Sequence, residues 1–242
     1  YLIEIYYYIG IKKNRDYSNV VNSFCPYTNL LCYLLCGPND ALYITIPLIF
    51  ITDILMKILD KKITINRVAL FKCILFILLV IFGIYNNANI YESIMNIEII
   101  STWEVFIGLT IGEMGVVSNL LILLCFIVLL FNKYYKKDIA IISILTYIIF
   151  GLFLVLVGNF NIIEFINNTF PSGIIFSIVF VLTLSEASPL LKSGRTIYAI
   201  LTGILLTIFV NIFKINIGIY FIILIMSIIS PLINKLKISI YK

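Results

Sequence analysis

Histidine is absent from this chain. Without it there is no His-ligated zinc, no bis-His haem and no Ser-His or Cys-His catalytic unit. Charge is scarce as well. Only 12% of the 242 residues are Asp, Glu, Lys or Arg. That is about half the share of a soluble domain, and too little to cover a water-facing surface. The five cysteines, Cys25, Cys32, Cys36, Cys73 and Cys125, are odd in number and lie in or beside apolar stretches, which argues against a secreted disulfide framework. The first three have neither a CxxC spacing nor a fourth ligand, so they read as small buried hydrophobes and no metal site is expected. No GxGxxG, Walker loop, HExxH or GxSxG occurs, and no catalytic residue is assigned.

What is present is apolar surface. The chain is 62% hydrophobic with a mean hydropathy of +1.12, so lipid is the expected solvent and partner. Its net charge of +5 comes from basic residues at the ends of apolar runs. They form no continuous, aromatic-interleaved patch, so nucleic acid is not expected as a partner. Apolar runs lie at about 20–37, 41–59, 68–85, 105–131, 138–157, 172–190, 195–213 and 216–234, each near the length of one span. They are too long for membrane strands, which are about ten residues and alternate. The reading is all-α: a polytopic transmembrane helical bundle of about eight spans, forming one integral membrane domain over residues 1–242. Residues 1–19 read as the remainder of a longer N-terminal segment. They are not a signal peptide, because Lys12, Lys13 and Arg15 follow the apolar stretch. The first run is interrupted by Asn22, Pro26 and Asn29. The fourth contains Glu113 and is expected to be broken or re-entrant at its start.

Lys and Arg orient the spans. With the N-terminus inside, Lys12, Lys13, Arg15, Lys57, Lys61, Lys62, Arg67, Lys72, Lys133, Lys136, Lys137, Lys192, Arg195, Lys235, Lys237 and Lys242 fall on the cytoplasmic side, and Lys214 falls outside. Asp40, Glu92, Glu98 and Glu164 fall in the opposite loops. The expected topology is N-in, C-in, in a bacterial cytoplasmic (inner) membrane.

Three groups could carry chemistry. Glu113 stands among Gly108, Gly112 and Gly115. An acid entering a span is either an interfacial anchor or a ligand or ion-path residue at a broken helix. Residues Thr183 to Pro189 form a second polar break, followed by Lys192, Ser193, Gly194 and Arg195. That break is either a helix end with a cytoplasmic turn or a half-helix terminus offering backbone groups. Asp53 lies four residues before Lys57, a spacing that lets the two neutralise each other on one helix face.

Residues 180–203 contain Thr183, Pro189, Gly194, Arg195, Ile197, Tyr198, Leu201 and Gly203 in a register that resembles the membrane-subunit family containing NqrB and RnfD. Gly218, Phe221, Leu224, Met226, Pro231 and Leu232 are similar to that family's last span. Trp103, Phe106, Gly108, Gly112, Glu113 and Ser118 resemble its GET-like block, and Asp60-Lys-Lys-Ile-Thr-Ile65 an early loop. The resemblance covers about two-thirds of the chain. It implies a subunit of an ion-translocating electron-transport complex, with companion membrane subunits as partners and FMN or riboflavin as cofactor. Gly112, Glu113, Ser118, Thr183, Ser188 and Arg195 then become candidates for a flavin site or ion path. The departures are specific. Leu184 and Ser185 stand where the family has Asp-Pro, and Asn234 where it has a closing Asp. The Ser-Gly-Ala-Thr segment whose Thr carries covalent FMN is missing, with about two spans around it; Thr102 and Thr110 sit in no such motif. The expectation is a shortened, degenerate subunit that is not catalytic alone and holds flavin, where it holds any, non-covalently. Alternatives are a small-solute or vitamin transporter or binding protein on the same scaffold, and a purely structural assembly subunit.

Overall fold

A computed structural model describes residues 25–37, 42–59, 65–81, 102–108, 113–185 and 187–240. Residues 1–19, residues 82–101 and Gly112 lie outside the described residues. All regular structure among the described residues is helical. In chain order it consists of α1 (Cys25–Leu34), α2 (Leu42–Leu59), α3 (Arg67–Ile81), α4 (Thr102–Ile107), α5 (Asn119–Leu130), α6 (Lys137–Leu156) and α7 (Ile162–Thr169). Then come α8 (Ile174–Phe176, running on as a π-turn over Ser177–Val181), α9 (Lys192–Thr207, running on as a π-turn over Ile208–Ile212) and α10 (Gly218–Ile240).

Each apolar run of the sequence carries a helix, but few are full-length spans. By length and composition α6, of 20 residues, and α9 with its π-turn, of 21, can cross a membrane; α7 and α8 make a third if read as one span bent by 61°. Others stop short. α1 has 10 residues and α5 has 12, about 15 and 18 Å against a hydrocarbon core of about 30 Å. The fourth run is broken as its glycines suggested. Gly108 has φ +104° and ends α4, and among the described residues helix resumes at Asn119. Between them Ser118 caps α5 by accepting from the Leu121 amide, while its hydroxyl donates to the Ile107 carbonyl at 2.8 Å. α7 was not foreseen. It is docked by Phe165, whose ring covers Gly151 of α6 and stacks on Tyr147 at 5.6 Å.

Side-chain contacts fix which helix ends share a side. Lys136 donates to Ser185 and Ser188, Arg195 pairs with Asp138 at 3.8 Å, and Gly194 lies against Asn234. At the other end of α6 and α9, Lys214 pairs with Glu164 at 2.8 Å. The chain therefore runs up and down through α6, α7 with α8, α9 and α10.

The tightest helix contact is between α6 and α9. A Cβ on Gly203 would overlap the Thr146 hydroxyl and lie 2.9 Å from Thr146 Cβ and 3.0 Å from the Ser143 carbonyl. Small residues permit such approach in lipid, where dispersion rather than water drives packing. Gly203→Ala should destabilise the bundle by about 1–3 kcal/mol, read as a lower Tm in detergent. Thr146→Ala in the same chain should recover part of that loss, because the overlapping atoms belong to Thr146.

Candidate functional site

α1 ends inside the bundle, and a helix end leaves four carbonyls without helical partners. The carbonyls at and just past that end, those of Leu34, Leu35 and Cys36, are bonded by the segment that follows Glu113 and by one lysine. The Gly115 amide donates to the Leu34 carbonyl at 2.7 Å and the Met114 amide to Cys36 at 3.3 Å. Lys72 Nζ of α3 donates to the Leu35 carbonyl at 2.7 Å. Gly115 is needed for this approach: a Cβ there would lie 2.9 Å from Leu34 Cβ and 3.0 Å from the Phe176 ring. The same Lys72 forms an ion pair with Glu113 at 2.5 Å, with side chains only 10% and 22% exposed. Tyr220, near the start of α10, faces Glu113 and Ser177. Both hydroxyls, Tyr220 Oη and Ser177 Oγ, are buried.

Two expectations change here. Lys72 was assigned to the cytoplasmic flank of the third span. It is instead buried in contact with Glu113, whose neighbour Tyr220 lies toward the Lys214 and Glu164 end of the bundle. Arg67 was assigned to the same flank and is 5% exposed. Its guanidinium bonds Asp53 at 3.3 Å and Thr28 at 3.3 Å, and Asn29 Nδ2 donates to the other Asp53 oxygen at 2.9 Å. Asp53 is thus tied across helices to α1 and α3, not only along its own helix; the Lys57 side chain lies outside the described residues. Neither Arg67 nor Lys72 is a loop charge, so neither bears on orientation.

A second polar group closes the α8–α9 connection. Lys136, in the turn before α6, donates to the Ser188 hydroxyl at 2.6 Å and to the carbonyls of Ser188 and Ser185 at 3.1 and 3.3 Å. Ser188 in turn donates to Leu184. Arg195 Nε holds the Pro189 carbonyl at 3.2 Å. Burial lowers the Lys136 ammonium to about 8, with the Arg195 charge adding to the shift. Thr183 donates to the Val179 carbonyl at 2.7 Å, which Tyr135 also bonds at 2.9 Å. Asn66 Nδ2 takes the Val181 carbonyl at 2.8 Å. A π-turn disturbs the regular carbonyl ladder, and side chains from elsewhere satisfy the groups it frees.

The sequence-derived residues therefore fall into two places. Glu113 and Ser118 belong to the broken segment against α1, while Thr183, Ser188 and Arg195 belong to the α8–α9 connection. The π-turn of α8 stands between them, with Ser177 toward Glu113 and Val179 toward Tyr135. Among the described residues these five do not converge on a cradle for an isoalloxazine ring. Each spends its polar atoms on partners within the chain. Two surface depressions, one against Asn161, Glu164 and Asn167 and one against Asp138, Lys192 and Thr196, include none of the five. Lys72, Arg67, Asn66, Lys136, Tyr220 and Ser177 were missed. For Lys72 a signal existed, since it stands inside an apolar run and not at its edge.

Removing one partner of a buried pair costs about 3–5 kcal/mol, because the other charge is left uncompensated. Glu113→Gln alone should lower membrane accumulation and Tm. Lys72→Met with Glu113→Gln should restore much of both in a double-mutant cycle. Asp53→Asn should be comparably severe, since it removes the carboxylate charge facing Arg67. The lowered Lys136 value has a pH signature. Between about pH 8 and its ordinary value of 10.5 the unfolded chain still binds a proton that the folded chain has released, so stability rises with pH across that window. Wild type should gain on Lys136→Met, in thermal melts, as pH goes from 8 to 10.

A search of curated proteins finds no match. The profile of the NQR2, RnfD, RnfE family matches residues 43–241, from the second residue of α2 to the end of α10. The match takes in every element of both polar groups except α1, and the chain belongs to the NQR2, RnfD, RnfE family.

Proposed function

We propose that this chain serves as a membrane subunit of an ion-translocating electron-transport complex of the Rnf/Nqr type. It would sit in a bacterial cytoplasmic membrane, crossing about eight times with both termini inside. The observation that carries the reading is the family match over residues 43–241. The buried pairs Lys72–Glu113 and Arg67–Asp53 accord with it, since ionisable groups inside a membrane bundle mark charge-handling sites by default. The subunit is degenerate in this proposal and not catalytic by itself. Flavin supplies one- and two-electron transfer in such complexes. Any FMN or riboflavin bound by this chain is held without a covalent link, because the Ser-Gly-Ala-Thr acceptor does not occur in the sequence. The residues described in the two polar groups position helices and neutralise one another.

Purification from native membranes through a tag after Lys242 tests this. Companion membrane subunits with flavin or iron–sulfur absorbance should copurify, and the intact mass should equal the polypeptide alone. Recovery without companions, together with solute uptake in vesicles, would favour the transporter reading. An added mass of one FMN would overturn the non-covalent assignment.

A further inference from the structure

The first turns of α6 and α9 leave a cleft of about 370 Å³ between them, lined by Asp138, Ile141 and Ile142 of α6 and by Lys192 and Thr196 of α9. Ligand clefts span about 300–1,000 Å³. The two helices run parallel: Arg195 meets Asp138 near their starts, and Gly203 meets Thr146 two turns further on. Both positive helix ends therefore open on the same side. Asp138, the carboxylate of the cleft, already faces Arg195 at 3.8 Å, and Thr196 donates to the Ser193 carbonyl at 2.8 Å. Lys192 is left as an exposed cation with no ion pair among the described residues, and the exposed Lys133 and Lys137 add charge at the same end.

Below this charged mouth the walls are apolar. Ile141 continues along α6 as Leu145 and Ile149, and Thr196 continues along α9 as Ile200, all four apolar side chains being exposed. Beside the mouth Phe131, Tyr134 and Leu190 are exposed as well, and aromatic side chains of this kind settle at the headgroup level of a bilayer. A cationic mouth over an apolar wall complements an amphiphile with an anionic head. Basic pockets between membrane helices on the cytoplasmic side recognise acidic lipid headgroups in this way.

We propose that the cleft between the starts of α6 and α9 binds one acidic phospholipid of the cytoplasmic leaflet, with its phosphate at Lys192 and an acyl chain along Ile141, Leu145 and Ile200. A zwitterionic phospholipid offers the same phosphate and chains, but its own ammonium opposes the lysines, so the cleft selects for net negative charge. The inference rests on the membrane-subunit reading only for the side of the bilayer on which these helices start.

The test uses the full-length chain in a non-ionic detergent, with thermal unfolding followed as phosphatidylglycerol or phosphatidylcholine of matched chains is titrated in. Phosphatidylglycerol should raise Tm saturably, by roughly 5–10 °C at a hundredfold excess over the dissociation constant, and phosphatidylcholine should have little effect. Lys192→Gln should leave Tm in phosphatidylcholine unchanged, because the side chain is exposed, and should raise the phosphatidylglycerol midpoint by about fivefold, as expected for one lysine near an acidic surface. Ile141→Trp, which fills the cleft at constant charge, should weaken the response too. Lys133→Gln, outside the cleft, should barely alter it. Equal loss in Lys133→Gln and Lys192→Gln would overturn the proposal, since the attraction would then be diffuse. So would equal stabilisation by the two lipids, or by glycerol 3-phosphate alone, which would mark a free-anion site. The readout needs only the isolated chain, so failure here leaves membership of a complex untouched, and lack of companions leaves the lipid site standing.

Discussion

No main-chain polar group inside a bilayer can rely on water, and the architecture follows from that constraint. A continuous helix satisfies it unaided, as α6 does over 20 residues. Each departure from continuous helix requires a donor or acceptor from elsewhere in the chain. Where α1 stops, the amides of Met114 and Gly115 and the Lys72 ammonium take the carbonyls of Cys36, Leu34 and Leu35. Where α8 loosens into a π-turn, Asn66, Tyr135 and Thr183 take the carbonyls of Val181 and Val179. Where α4 ends at Gly108, Ser118 takes the carbonyl of Ile107. An unmet group would cost several kcal/mol in hydrocarbon, so these polar side chains are required by the breaks themselves.

α3 carries an unusual share of that burden. Asn66 caps its first turn by accepting from the Ala69 amide, and donates to both the Val181 carbonyl and the Ser227 hydroxyl. Arg67 binds α1 and α2 through Thr28 and Asp53. Lys72 binds the end of α1 and Glu113. One helix start therefore registers α1, α2, α8 and α10 against one another. This explains why its first two turns are buried on nearly all sides, charged residues included.

The legible part of this fold was its hydrophobicity. Run length alone located α2, α3, α6, α9 and α10, because a span is defined by a continuous property of about 20 residues. The break at Glu113 was legible too, from glycines around an acid. What stayed hidden depends on partners distant in sequence. Asp53 reads as the local partner of Lys57 at four residues' spacing, and only the folded bundle brings Arg67 to it. Lys72 stands inside an apolar run, but nothing local names its partner, Glu113, 41 positions later. α7 escaped because eight residues with Glu164, Asn167 and Asn168 do not form a long apolar run; its place depends on the notch that Gly151 leaves for Phe165.

Buried ion pairs are poor sources of net stability, since desolvating two charges offsets most of their attraction. Their presence here is better understood through what they forbid. α2, α3 and α5 are built mostly from Leu, Ile, Val and Phe, and such surfaces slide past one another at little cost in lipid. A shift of one turn, about 5.4 Å, would leave hydrophobic contacts nearly unchanged but would separate Lys72 from Glu113 and Arg67 from Asp53. Four charges would then lie unpaired in low dielectric, at a cost well above the stability of most domains. The two pairs thus turn a set of interchangeable apolar helices into one register, and they do so at the broken segments, where regular helix packing supplies the least specification.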